Sequence, residues 1–158
     1  MREFRISANN YLHKPIDESC YDYLLKSYER ISKDIGSNYT AFVTPVGPVE
    51  SETSMERLLG DIEKMAAFLS SKGIKKGDVF TAFMPTCGHG FTAFYSLIKL
   101  GVVANFVHPL TPPAQLEEIM AHTNSKGVFM LDLFAAGYKS IIEKHMTIVC
   151  STSDFCDG

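Results

Sequence analysis

Between residues 79 and 150 the chain alternates short apolar runs with longer stretches in which apolar residues recur every three or four positions, and few folds accommodate that order. Residues 79–84, 102–107, 127–131 and 147–150 read as strands. The first of them, Val79-Phe80-Thr81-Ala82-Phe83-Met84, lacks strict polar alternation, as expected of a strand covered on both faces. Between them, Phe91, Phe94, Tyr95, Leu97 and Ile98 mark one helix, closed by Gly101. Thr111 as cap and Pro112 in the first turn open another, with Leu116, Ile119 and Met120 facing inward. A third helical stretch carries Phe134, Tyr138, Ile141 and Ile142. Successive strands joined by helices require right-handed crossovers, so the expected fold is α/β: a mainly parallel open sheet with helices on both faces.

Upstream, Tyr21, Leu24, Leu25, Tyr28, Ile31 and Ile35 keep helical period, with Asp17 as a possible first-turn acceptor and Gly36 as a stop. A β-like run at 39–44 leads to a Pro45-Val46-Gly47-Pro48 turn. Thr53 and Glu56 then form a capping-box pattern ahead of Met55, Leu58, Leu59, Ile62, Met65, Ala66 and Leu69, and Gly73 suits the αL position after that helix. The 158 residues fit one α/β domain: a leader over 1–16, a helix plus hairpin-like region over 17–53, and the alternating core over 54–150.

A hydrophobic fraction of 46% supplies a sizeable core and excludes disorder. The formal charge of −3, with both signs interspersed, gives no basic surface for nucleic acid. No run approaches the roughly 18 apolar residues of a membrane span, and Met1-Arg2-Glu3-Phe4-Arg5-Ile6-Ser7 lacks the apolar core of a secretory signal. Cys20, Cys87, Cys150 and Cys156 are scattered rather than set in a framework, so they read as reduced thiols of a cytoplasmic protein. Neither their spacing nor the histidines suggest a metal site.

Several segments, in order, carry a resemblance. Ser54-Met55-Glu56-Arg57-Leu58-Leu59 leads through Met65-Ala66-Ala67-Phe68-Leu69 to Lys76-Gly77-Asp78 and a buried strand. Met84-Pro85-Thr86-Cys87 follows, then the helix from Ala93 to Gly101, His108-Pro109, and Pro112-Pro113-Ala114-Gln115-Leu116. This order and spacing, from about Ser54 to Leu131, resembles the N-terminal portion of the AMP-forming acyl-CoA synthetases. The sequence departs from that family's pattern at Met55, Gly88, His89, Gly90, Phe106 and His108.

The resemblance implies an ATP-dependent ligase that activates a carboxylic acid as acyl-AMP and passes it to coenzyme A. ATP, Mg²⁺ and coenzyme A are then ligands of the complete enzyme and none is expected on these residues alone. The family's Thr-Ser-Gly-Thr-Thr-Gly-x-Pro-Lys loop is not in the sequence; Ser151-Thr152-Ser153-Asp154 comes nearest and has no lysine. No catalytic residue is therefore assigned, and the chain by itself is expected to be inactive. The expected partner is the remainder of the same polypeptide. The alternative is a stand-alone interaction or regulatory domain on the same scaffold.

Three sharper readings concern particular residues. Gly88-His89-Gly90-Phe91-Thr92-Ala93 fits a GxGxxA dinucleotide fingerprint, but His108 stands where an acidic residue should follow the next strand. A loosened loop at a helix start is the simpler account. Cys87 beside His89 suggests a nucleophilic pair, against which a half-buried thiol is the plainer reading. His108 lies at a strand's carboxyl end, the ligand side of open α/β sheets, and is the one candidate here for a contact with substrate; a histidine bonded to local backbone is the other reading. Phe91, Phe94 and Tyr95 are expected in the core before an acyl pocket. A partial sheet should expose an apolar patch or an unpaired edge, which invites self-association. Gel filtration tests this: a shift to larger species with concentration is expected, and a stable dilute monomer defeats it.

Overall fold

The computed structural model describes residues 18–46 and 49–155. Four strands, β3 (Val79–Phe83), β4 (Val103–Val107), β5 (Ser125–Leu131) and β6 (Met146–Cys150), form one parallel sheet in the order β4-β3-β5-β6. Parallel neighbours need crossovers, and here α3 (Gly88–Leu100), α4 (Pro113–His122), and α5 (Asp132–Ala135) with α6 (Lys139–Lys144) supply them. The expected α/β fold is borne out.

Both faces of the sheet are covered. On one, Phe80 and Phe129 pack with Leu69 of α2 (Met55–Ser71) and with Ala93 and Leu97 of α3. On the other, Phe83, Val128 and Met130 meet Leu116 and Met120 of α4 and Ile141 of α6. Each large side chain buried in this way stabilises by about 1.5–3 kcal/mol. A third layer lies outside α2 and α3. It holds α1 (Cys20–Ile35) and the antiparallel hairpin of β1 (Thr40–Val46) and β2 (Val49–Ser54), with Tyr21, Met55, Leu58 and Ile62 at its centre. Tyr21 donates its hydroxyl to Glu63, whose carboxylate also pairs with Lys99, so one polar cluster ties α1, α2 and α3 together. Those two bonds, from Lys99 first, hold the Glu63 carboxyl below its ordinary range.

Several local expectations shift. Ser19 caps α1 with a full capping box to Asp22, while Asp17 lies outside the described residues, as does the turn at 47–48. Thr53 belongs to β2, opposite Phe42, and Ser54 caps α2 by accepting from the Arg57 amide; the hydroxyl three residues before a free amide wins. Pro112 is the cap and Pro113 the first residue of α4, one step later than expected, because the ring of Pro113 keeps the residue before it out of the helical region and Pro112 is extended at ψ 151°. The last helical stretch is split near Gly137 into α5 and α6. Phe91, Phe94 and Tyr95 are at the margin of the core: Phe91 is 39% exposed, and the other two are half-buried. Their spacing is helical, but they meet different neighbours, Phe91 the hairpin at Phe42, Phe94 the edge strand at Phe106, and Tyr95 the cluster between α1 and α2.

The sheet has an expected open edge. Among the described residues β4 pairs only with β3, and Val103 and Phe106 along it are 54% and 56% exposed. In the centre, buried Thr81 bridges three strands, accepting from Asn105 Nδ2 at 3.2 Å and donating to Ser125 Oγ at 2.8 Å.

Gly127 shows how closely β5 is seated. A Cβ there would come within 2.6 Å of both the Met146 carbonyl oxygen and the Phe80 ring. Gly127→Ala should therefore destabilise by about 1–3 kcal/mol in chemical denaturation, since either backbone or a buried ring must move. Gly60→Ala, in the middle of α2 with nothing within 4 Å, should instead be neutral or stabilise by up to about 1 kcal/mol. Equal effects at the two glycines would contradict the packing.

Candidate functional site

In open parallel sheets the strand ends at which adjacent crossovers diverge leave a crevice at the carboxyl edge. Here the chain leaves β3 toward β4 and leaves β5 toward β6, so that divergence falls between β3 and β5. The residues just beyond those strands are Met84-Pro85-Thr86-Cys87 on one side and Asp132 on the other, with Ser151 and Thr152 beyond β6.

These ends are bonded to one another. Asp132 Oδ2 accepts from Ser151 Oγ and from the Thr152 amide, both at 3.1 Å. His89, in the first turn of α3, places Nε2 at 2.9 Å from the Ser151 carbonyl oxygen and 3.6 Å from Asp154 Oδ2. Ser151 Oγ also meets Ser153 Oγ at 2.8 Å, at the entry to a 3-10 turn that runs Thr152–Phe155. Donors from Thr152, then Ser151, hold the Asp132 carboxyl below the ordinary aspartate range. The cluster pins the chain leaving β6 across the crevice; most of its donors and acceptors are engaged with each other, Asp132 Oδ1 being buried without a partner, and it contains no lysine. By themselves these residues do not fit a nucleotide triphosphate.

The candidates from the sequence are dispersed around this edge. His108 is exposed beyond β4, and its Nδ1 accepts from the Leu110 amide at 3.2 Å, which keeps the ring against its own loop. Gly88 and Gly90 are neither loop residues nor left-handed: α3 starts at Gly88, and the glycines with positive φ among the described residues are Gly36, Gly73, Gly77 and Gly101. The helix therefore absorbs the glycines that the fingerprint reading placed in a turn. Cys87 sits at the helix cap, but burial raises its thiol pKa despite the amides of Gly90 and His89. Burial, with Cys87, Asp154 and Asp132 nearby, pushes the Cys150 thiol up to about 12. Neither is an activated nucleophile. Asp132 and its partners belong to no motif that marks them in the sequence, although an acidic residue directly after a run of five apolar or glycine residues, 127–131, is a readable sign.

Two concavities flank the edge. A cleft of about 460 Å³ opens between the β1–β2 hairpin, α2 and the first turn of α3. A smaller one of about 240 Å³, beside β4, is lined by Met84, Pro85, Cys87, Phe91, Phe94 and Phe106.

Thiol labelling and acid titration test this electrostatic account. In a Cys156→Ser background at pH 8, Cys20, exposed at the start of α1, should react with a disulfide reagent at least about tenfold faster than Cys87 and Cys150. Because its folded pKa is depressed, Asp132 contributes stability above its unfolded value of about 3.9 and loses it as pH falls through the folded one. The stability gap between the wild-type chain and Asp132→Asn should therefore be present at neutral pH and close below about pH 4.

Comparison with known proteins bears on this geometry. Residues 36–154 match the family described as AMP-binding enzyme. A long-chain-fatty-acid–CoA ligase of Bacillus subtilis is 29% identical over 92 residues, covering 58% of this chain and 16% of the ligase. Among solved structures, the anthranilate CoA ligase AuaEII in complex with anthranoyl-AMP superposes with a TM-score of 0.70 at 17% identity, covering 95% of this chain and 27% of that one. A long-chain-fatty-acid-CoA ligase, FadD1, from Archaeoglobus fulgidus gives 0.66 at 19% identity, over 85% of this chain and 29% of that one. The structural likenesses establish the fold, and the chain spans less than a third of the length of each of these three relatives. With the family match extending from the hairpin across the whole parallel sheet, the chain belongs to the AMP-binding enzyme family.

Proposed function

We propose that this chain is the N-terminal segment of an AMP-forming acid–thiol ligase. In that reaction a carboxylate oxygen attacks the α-phosphorus of ATP and pyrophosphate leaves. A thiol, that of coenzyme A, then attacks the acyl carbon of the acyl-AMP and AMP departs. The observation that carries the reading is the family match over residues 36–154, laid on a parallel sheet whose carboxyl edge is gathered by Asp132, Ser151 and His89. The ligase activities of the Bacillus subtilis relative and of AuaEII support the same class.

Catalysis of phosphoryl and adenylyl transfer is mostly positioning and charge stabilisation, which needs cations and an amide-rich loop around the phosphates. The residues at this carboxyl edge engage each other instead, so in this reading they are a base on which the nucleotide-binding portion of the longer polypeptide is set. That polypeptide supplies the groups for ATP, Mg²⁺ and coenzyme A. It is the chain's main partner, and the exposed β4 edge with Val103 and Phe106 is where part of it packs. His108, exposed beyond that strand, faces the ligand side of the complete enzyme. The 158 residues act as one domain of a cytoplasmic ligase, in keeping with free thiols at Cys20, Cys87 and Cys150. Among the described residues no helix is long and apolar enough to cross a membrane.

The test is an acyl-adenylate assay with hydroxylamine trapping on two proteins, the 158-residue chain and the polypeptide extended to the length of its relatives. The extended protein should form acyl-AMP and pyrophosphate, and the short chain should form neither. Stoichiometric ATP binding or adenylate formation by the short chain alone would overturn the proposal, as would an inert extended protein that is folded.

A further inference from the structure

The 460 Å³ cleft described above opens beside the last of the described residues. His89 meets the Ser151 carbonyl at 2.9 Å and Asp132 accepts from the Thr152 amide, so the 3-10 turn Thr152–Phe155 is fixed against the first turn of α3. That turn delivers Asp154 to the rim of the cleft. The three residues from 155 to 158 span at most about 10 Å, so whatever follows Gly158 starts close to the opening.

The hairpin presents a regular surface to this cleft. Phe42 and Thr44 of β1 point the same way, as do Ser51 and Thr53 of β2, because side chains alternate along a strand. Phe42 stands opposite Thr53, and Thr44 opposite Ser51, so one ring and three hydroxyls form that wall. Met65 and Phe68 of α2 add the rest of the apolar lining, and Phe68 keeps 42% of its surface exposed. Two cations, Arg57 and Lys64, and two carboxylates, Asp61 and Asp154, also border the cleft, and their formal charges cancel. Asp61 is paired with Arg57 and Lys64, and Asp154 with His89. An ion entering the cleft has to compete with these pairs, whereas an uncharged apolar body covers Phe42, Met65 and Phe68 without disturbing them.

We infer that this cleft seats the stretch of the longer polypeptide that directly follows residue 158, an uncharged extended segment with a large apolar side chain against Phe42, Met65 and Phe68. The inference rests on the ligase reading above in needing that polypeptide. The hydroxyls of Thr44, Ser51 and Thr53 can donate to the carbonyls of such a segment and accept from its amides. Tethering favours this occupant over a dissolved one. A segment held a few residues away arrives at an effective concentration on the order of millimolar, so a shallow cleft without a charged anchor suffices. A dissolved molecule making the same contacts has no such help. The carboxyl-edge cluster then has a second role: by fixing residues 151–155, His89 and Asp132 aim the onward chain at its seat.

The experiment compares the 158-residue chain with the polypeptide extended to the length of its relatives, each carrying Cys20→Ser, Cys156→Ser and Lys64→Cys. Lys64 borders the cleft with its side chain 83% exposed, so its replacement disturbs little packing. A disulfide reagent, followed site by site with mass spectrometry, should label residue 64 at least about tenfold more slowly in the extended protein. Lys33→Cys, exposed in the last turn of α1, should react equally in both. A photoreactive maleimide on residue 64 of the extended protein should crosslink within about twenty residues after Gly158, a flexible reach of roughly 25 Å. Equal labelling of residue 64 in the two proteins, equal slowing at residues 33 and 64, or crosslinks confined to more distant parts of the polypeptide would each overturn the inference. Adenylate formation by an extended protein whose residue 64 stays open sinks this inference and leaves the ligase reading standing. A folded but inert extended protein with residue 64 protected does the opposite.

Discussion

The close seating of β5 between β3 and β6, with the Phe80 ring lying where a side chain on residue 127 would be, governs the rest of the fold. Gly127 is set against that ring and against the Met146 carbonyl, so β5 cannot slip in register without a clash. The register in turn places Phe129 beside Phe80, with ring centroids 4.9 Å apart, on the face covered by α2 and α3. It turns Val128 and Met130 to the opposite face, against α4 and α6. Thr81 adds a polar constraint at the same level, because its hydroxyl satisfies groups on both neighbouring strands and would leave Asn105 unpaired if the sheet shifted. Apolar area supplies most of the stabilisation, and this combination of a glycine, a ring and a threonine selects one arrangement of it.

From that arrangement follows where the carboxyl ends of the strands lie. Because β3 and β5 are adjacent and their crossovers depart in opposite directions, Cys87 and Asp132 flank one crevice, and the chain returning from β6 crosses it. Asp132 holds that crossing with two bonds and His89 with one. The same turn brings Asp154 to the rim of the larger cleft. Two regions that are remote in sequence, the hairpin with α2 and the exit from β6, thus meet at the first turn of α3.

Much of the fold is legible in the sequence because the periods are strong. Strands 79–84 and 127–131 are mostly apolar runs, and α2 repeats its apolar residues over four turns, so their type and order can be read directly. Boundaries are less legible where two neighbouring residues could each fill the same role. Ser54 rather than Thr53 caps α2, and Pro113 rather than Pro112 opens α4. Phe91, Phe94 and Tyr95 illustrate a different limit. Helical spacing identifies helical positions of α3 but not which neighbours they meet, and here they meet the hairpin, the edge strand at Phe106 and the cluster between α1 and α2 rather than the centre of the sheet. The carboxyl-edge cluster is only partly readable. The position of His108 at a strand end follows from the strand pattern alone. Asp132, by contrast, gains its interest from Ser151 and Thr152, nineteen and twenty residues later, and only the pairing of β5 with β6 brings them together.

The outer side of β4 also limits what can join the molecule there. A five-residue strand is about 17 Å long, so an incoming segment has room for only a few ladder bonds before it runs past either end. Side chains alternate along it, so such a segment would meet Phe106 on the α3 side and Val103 on the α4 side. Docking at this border is thereby a matter of reading a short two-sided code, one aromatic and one β-branched residue, rather than of adhering to a broad greasy face.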